Sequence, residues 1–261
     1  MPELRDLVAR ELSEPVDSRV TAMAAAIAGK HGSASRAVLF YGSALREREI
    51  EAQILDFYLI VSDYRAAYEK RWLATANRLI PPNVFYFEHE GLASKYAVLS
   101  ESDFARECGP SARTSSVFAR FSQPTRLVWV ADETAGAAVV DSVADAAPTL
   151  LELSRPTMTD RDAADALAIW NKAFVFTYGS ELRAERNSRP ALIVDSDPER
   201  YRRFAVAAGF AEERAYSDEQ RRRAQATWRR FQRRGKRASV LRLAKASFTF
   251  AGGAPIPKTI C

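Results

Sequence analysis

The stretch that most restricts what this chain can fold into is VLFYGSALREREIEAQILDFYLIV, residues 38–61. Val38–Tyr41 and Ile54–Val61 are almost wholly apolar, as strands covered on both faces are. Gly42 has no Cβ, so the backbone can turn sharply there and come close to a ligand. Ser43 adds a hydroxyl and an amide at the start of a helix predicted from near Ala44, where free N–H groups favour an anion. Asp56 stands inside the second apolar run, and a lone charge there is costly unless it is paired or bound to a metal. Two readings follow. Either a phosphate cradle lies beside a metal-binding carboxylate, or a strand–turn–strand unit buries a hydrogen-bonded aspartate.

The 261 residues suffice for a large core or two small ones. Cys108 and Cys261 lie far apart, which makes neither a disulfide framework nor a metal-ligand spacing and fits a reducing compartment. No apolar run approaches the roughly 18–20 residues that span a bilayer. The opening MPELRDLVARELSEP carries acids and no apolar h-region, so it does not read as a signal or transit peptide. Charge is unevenly spread. Residues 217–245 hold 11 Lys and Arg against 2 Asp and Glu, whereas the rest holds 27 against 31. Such a block suits nucleic acid or an anionic membrane, or is a solvated helix face.

Along the chain, Leu4, Leu7, Val8 and Leu12 keep helical spacing up to Pro15. Val20, Met23, Ala24 and Ile27 mark a second helix, closed by Gly32. After the central stretch, Tyr64 to Leu79 is predicted as one long helix stopped by Pro81 and Pro82. Asn83–Glu88 and Lys95–Leu99 read as a hairpin about Gly91. Ser102 is a candidate cap for a short helix, and Ser111–Phe121 is a further one. Thr125–Ala131 is a strand, and Asp132–Ala147 a helix ended by Pro148. From Thr159, read as an N-cap, the pattern is all helical, and Ser196-Asp197-Pro198 starts another helix. A domain boundary is predicted at 148–158. The near-repeat of YGSALRERE at Tyr41 as YGSELRAER at Tyr178 has a strand before the first copy and a helix before the second, so it does not mark a duplicated domain.

The turn followed by an aspartate-bearing strand has the layout of the nucleotidyltransferase fold. With its flanking blocks the chain resembles the mitochondrial translocator assembly and maintenance family, the peripheral CDP-diacylglycerol synthases. Tyr41-Gly42-Ser43 matches that family's YGSG-type turn, and Leu55–Asp63 its aspartate strand. Residues 81–86 (PPNVFY) and 94–100 (SKYAVLS) match its PPNVYY-like and IKYGVIS-like segments. Residues 119–125 and 177–183 are similar to its AGRLxKPV-like and SYxGDxRM-like stretches. The resemblance covers roughly residues 37–195. It implies a nucleotidyltransferase domain and a helical second domain, and with the composition and the charge block the chain reads as α+β: a nucleotidyltransferase domain with a mixed sheet over 1–150, a helical domain over 151–216 and a basic helical tail over 217–261. The implied reaction moves CMP from CTP to phosphatidic acid and releases pyrophosphate, with Mg²⁺ as cofactor.

The residues expected to carry that chemistry are Asp56, Gly42 and Ser43, with Tyr41, Lys95 and Arg120 at the nucleotide phosphates. Hard divalent ions want carboxylate oxygens, usually two or three together. The second acid of the usual DxD pair would fall at position 58, which is Tyr58. Glu88 is the best remaining metal partner, or else a rim acid at a hairpin end. Asp63 is a second candidate, or else a helix cap. Tyr178, Glu181 and Arg183 are expected to line a cleft between the domains. In the tail, Ala224, Trp228 and Phe231 recur at helical spacing among arginines, and a second helical run is predicted after Gly235. An Arg-rich helix with a Trp/Phe stripe suits an anionic lipid interface, and packing of those aromatics on the body is its rival. The expectation is therefore a cytoplasmic enzyme, bacterial in style, peripheral on the inner membrane face, with CTP and phosphatidic acid as partners and no nucleic acid. The alternatives are the same fold serving another acceptor, and a non-catalytic nucleotide- or RNA-binding protein.

Overall fold

The two apolar runs become the paired strands at the heart of one sheet. The computed structural model describes residues 2–47, 50–51, 53–179, 190–210, 212 and 214–250. Helices α1 (Pro2–Leu12) and α2 (Ser18–Gly29) lead into β1 (Ser35–Tyr41), the single turn α3 (Ser43–Glu47) and β2 (Ile54–Val61). Then come α4 (Tyr64–Ala67), α5 (Arg71–Leu79), β3 (Asn83–His89), β4 (Leu92–Ser100), α6 (Glu101–Cys108), α7 (Ser116–Phe121) and β5 (Thr125–Val130). The rest is helical: α8 (Glu133–Ser154), α9 (Ala166–Tyr178), α10 (Pro190–Asp195), α11 (Pro198–Ala207) and α12 (Asp218–Phe250). Among the described residues the five strands form one mixed sheet in the order β3-β4-β2-β1-β5, parallel only between β2 and β4. The class is α+β, as the sequence predicts.

Strand alternation assigns two cores. On one face Ala37, Leu39, Tyr58, Ile60, Ala97 and Leu99 meet α1, α6, α7 and α8. On the other Val38, Phe40, Phe57, Leu59 and Val98 meet α2 and the α4–α5 segment. The first core continues without a break into Trp170, Phe174, Tyr201 and Phe204 of the helical part. The predicted boundary at 148–158 is bridged by α8. Pro148 forfeits one backbone hydrogen bond but does not end the helix, because Ala146, Ala147, Leu150 and Leu151 around it are all buried. A buried ion pair closes the same body: both oxygens of Glu11 in α1 accept from the Arg200 guanidinium of α11. The remaining Nη1 of Arg200 donates to the Ser122 carbonyl at 3.1 Å.

Several local expectations shift by a turn for identifiable reasons. The long helix predicted over Tyr64–Leu79 is two short ones, because Tyr68 is extended (φ −128°, ψ 126°) and buries its ring against His31 and Phe85. Ser100, not Ser102, caps α6 by accepting from the Asp103 N–H at 3.2 Å. The helix expected over Ser111–Phe121 is confined to α7, starting at Ser116. Asp165 caps α9, and Thr159 instead holds a 3-10 turn through Asp162. The hairpin is as predicted, with Glu90 and Gly91 both at positive φ (49° and 78°) in a two-residue turn.

The basic tail differs most from its sequence reading. It is one continuous helix through Gly235, about 50 Å long by helical rise. Trp228 and Phe231 are the buried side of it, not a lipid-facing stripe. Trp228 stacks on Phe176 and its indole N–H donates to the Leu153 carbonyl at 2.9 Å, while Phe231 meets Phe118 edge-on. Arg222, Arg223, Arg229 and Arg230 point to water. Farther along, the Lys245 ammonium donates to the carbonyls of Ile80 (2.5 Å) and Pro82 (3.0 Å) and to Asn83 Oδ1 (2.9 Å), pinning α12 beside the start of β3. Among the described residues no helix is long and apolar enough to cross a membrane.

Two outcomes follow from this packing. Trp228→Ala should lower stability by about 3–5 kcal/mol in denaturant unfolding, the range for a truncated core aromatic. The second concerns His31, whose Nδ1–H donates to the Ala67 carbonyl (2.9 Å) while Nε2 accepts from the Tyr96 hydroxyl (3.2 Å). Burial holds its pKa below the ordinary imidazole value of 6.5. The unfolded chain therefore binds the proton first, so stability should fall as pH drops below about 6.5. His31→Gln should flatten that part of the profile in urea titrations at a series of pH values.

Candidate functional site

Register brings the candidate residues together. Tyr41, the last residue of β1, lies opposite Asp56 in β2, and Asp56 lies beside Lys95 in β4. Paired residues in neighbouring strands project to the same side of a sheet, so all three share the face that packs on α6, α7 and α8. Asp56 is 19 % exposed there, whereas its neighbours Leu55 and Phe57 are fully buried.

Gly42 makes the turn off β1 with φ +101°. That left-handed backbone suits glycine, and the space demands it too. A Cβ at position 42 would sit 2.9 Å from Asp56 Oδ2, closer than real contacts allow. The turn thus rests directly on the carboxylate. The other oxygen, Oδ1, is 3.2 Å from Lys95 Nζ. The Arg120 guanidinium, at the end of α7, lies 4.5 Å from the Tyr41 ring centroid and so stands over the same strand end. Ser43 opens α3, and its hydroxyl donates to Gln53 Oε1 at 3.2 Å. Because α3 is a single turn, the N–H groups of the Gly42–Ser43 turn, and not a sizeable helix dipole, are what this segment offers an anion.

Tyr58 closes off the position where a second acid would stand. It is buried, with its ring 5.4 Å from Tyr41 and 5.2 Å from Phe121, and so forms the apolar floor beneath the site. The two other acids considered as metal partners lie elsewhere. Asp63 is beyond the far end of β2, roughly 23 Å of strand from Asp56, where its carboxylate caps α4 by accepting from the N–H groups of Arg65 and Ala66. Glu88 is in β3, two strands away and two residues farther along, about 12 Å from Asp56 by strand spacing and rise. Its Oε1 accepts from the Tyr86 hydroxyl at 2.6 Å, and that bond raises the phenol's pKa. Among the described residues no three acids, histidines or cysteines cluster as a metal site.

Tyr178 ends α9, partly buried against the main core. Glu181 and Arg183 lie outside the described residues. Two site neighbours escaped the sequence reading. Tyr86 stands opposite Lys95, a pairing that follows from the two-residue turn by counting back along the hairpin. Gln53 had no such signal, since it precedes β2 in a stretch without periodicity. Among the described residues the site brings the Asp56 carboxylate together with the cations of Lys95 and Arg120. A partly exposed pair such as Asp56–Lys95 contributes little to folding, which leaves both groups available to a ligand.

Gly42→Ala should separate site from fold. The added methyl displaces the Asp56 carboxylate, whereas Lys95→Ala leaves the backbone alone. With CTP, the nucleotide that the resemblance implies, as the probe, both variants are expected to bind more weakly than the wild type in calorimetric titration, with a drop in the unfolding midpoint for Gly42→Ala alone. No protein-family model matches the sequence, and none of the curated proteins compared with it matches either.

Proposed function

We propose that the chain is a peripheral nucleotidyltransferase of the CDP-diacylglycerol synthase type, transferring CMP from CTP to phosphatidic acid. The observation that carries this reading is the seating of the Gly42 turn on Asp56 with the Lys95 ammonium on the same carboxylate. A side-chain-free turn, one carboxylate and two nearby cations at one strand end suit a triphosphate better than a neutral substrate.

In the proposed reaction a phosphatidate phosphate oxygen attacks the α-phosphorus of CTP. The new P–O bond forms as the bond to the β-phosphate's bridging oxygen breaks, and pyrophosphate leaves with that electron pair. Gly42 and Ser43 give the phosphates a close approach to backbone N–H groups. Lys95 leaves Asp56 for the triphosphate, where with Arg120 it offsets the charge that builds on the leaving group. Tyr41 and Tyr58 keep the inner side of the site dry. The donor set fits a single Mg²⁺ ion that arrives with the nucleotide: Asp56 supplies one carboxylate, and such ions keep several waters and take phosphate oxygens besides. It does not fit a two-metal site, since Tyr58 fills the second position. When bound, the ion supplies charge neutralisation at the phosphates.

Approach to the membrane rests on charge. The exposed arginines of α12 can hold the protein at an anionic surface while Trp228 and Phe231 stay in the core. A second reading is supported by one feature: Lys95 already neutralises Asp56, as in a protein that binds nucleotide without transferring it.

The test is purified protein with Mg²⁺ and each labelled nucleoside triphosphate in turn, with and without phosphatidate vesicles. Label from CTP alone should pass to lipid with equimolar pyrophosphate, and Asp56→Asn should reduce the rate by at least about 100-fold. CTP binding without pyrophosphate release would favour the binding reading, and label on a water-soluble acceptor would change the acceptor class.

A further inference from the structure

A second cationic feature lies at the opposite end of β2 and takes no part in the proposed reaction. Between α4 and α5 is a cavity of about 450 Å³, floored by the buried residues Tyr64, Tyr68 and Ala74. Its α4 wall begins just after β2 ends at Val61, roughly 17 Å of strand away from Asp56. Three arginines, all exposed, are among its lining residues: Arg65 from α4, and Arg71 and Arg78 from α5.

Their placement is not that of scattered surface charge. Arg71 and Arg78 are seven residues apart, on one stripe of α5, and Arg65 comes from the other helix, α4. Among the described residues none of the three side chains is in an ion pair, and Glu69, the one acid in the lining, is unpaired as well. Arg36, Arg106 and Arg200, by contrast, are each engaged by carboxylates. Gathering three cations about a concave space costs mutual repulsion that an anion in that space would relieve. The floor is aromatic, and Trp72 and Leu79 on α5 stay 49 % and 74 % exposed beside the arginines.

We propose that this cavity is an anion site that takes a phosphomonoester group, held bidentately by Arg71 and Arg78 with Arg65 from α4. Guanidinium forks match phosphate oxygens in pairs, and the volume admits the phosphate with a few attached carbons. The phosphate comes either from the headgroup of an anionic lipid or from a free phosphorylated metabolite. The assignment stands apart from the transfer reaction and does not depend on it.

The experiment uses the full chain and two probes: glycerol 3-phosphate by calorimetry, and sedimentation with phosphatidylcholine vesicles with and without phosphatidate. Arg71→Ala/Arg78→Ala should weaken binding of the responding probe by at least about tenfold, the loss expected for charged hydrogen bonds. Glu69→Gln should tighten it, because it removes the one opposing charge. Arg71→Lys/Arg78→Lys keeps the charge without the fork and should fall between. As a control for the basic face of α12, Arg229→Gln/Arg230→Gln should leave glycerol 3-phosphate binding unchanged. Loss confined to the soluble probe assigns the site to a free metabolite, and loss confined to phosphatidate vesicles assigns it to a lipid headgroup. Wild-type affinity of the double alanine variant for both probes, or binding of neither probe by the wild type, would overturn the proposal.

Discussion

The register of β1 against β2 is the constraint from which the rest of the molecule takes its sense. Pairing Tyr41 with Asp56 puts the carboxylate under the turn that leaves β1, and pairing Asp56 with Lys95 gives it a counter-ion from the next strand. A slip of one residue would turn Asp56 into the opposite core, among Phe40, Phe57 and Leu59, where an unpaired charge costs several kcal/mol. The apolar alternation of both strands forbids that slip. The same alternation that builds two cores thereby assembles a polar site.

Glycine at position 42 illustrates how fold and site share one requirement. Its φ of +101° ends the strand sharply, and its missing side chain lets the backbone lie on a carboxylate. Either need alone would select glycine. The tyrosine at 58 works in the other direction. Its aromatic ring, two residues along the strand from Asp56, gives the site an apolar floor continuous with Tyr41 and Phe121. A site so built sets one charged strand position against an aromatic wall.

How much of this was legible in the sequence differs from residue to residue. Local signals were reliable: the two apolar strands, the Glu90–Gly91 hairpin and the Asp197 cap all stand where pattern and turn chemistry put them. The grouping of Asp56, Lys95 and Arg120 needed the family-like motifs, since nothing local joins three elements so far apart in the chain. Misreadings arose where tertiary burial overrode local preference. Tyr68 breaks a helical run to bury its ring, Pro148 is tolerated inside a buried helix, and the Trp228 stripe faces the protein and not a bilayer. Periodicity reveals that a helix has an apolar side, but not what covers it.

The Glu11–Arg200 pair joins residues 189 positions apart in the chain, and through them the first helix to the eleventh. On a ribosome adding about 5–20 residues per second, roughly 10 to 40 s separate the emergence of the two partners. During that interval Leu4, Val8 and Leu12 have the sheet side to lean on but lack the carboxylate's eventual partner. Helix α1 is therefore made long before the residue that locks it. Its apolar surface waits through that interval for its neighbours on α11.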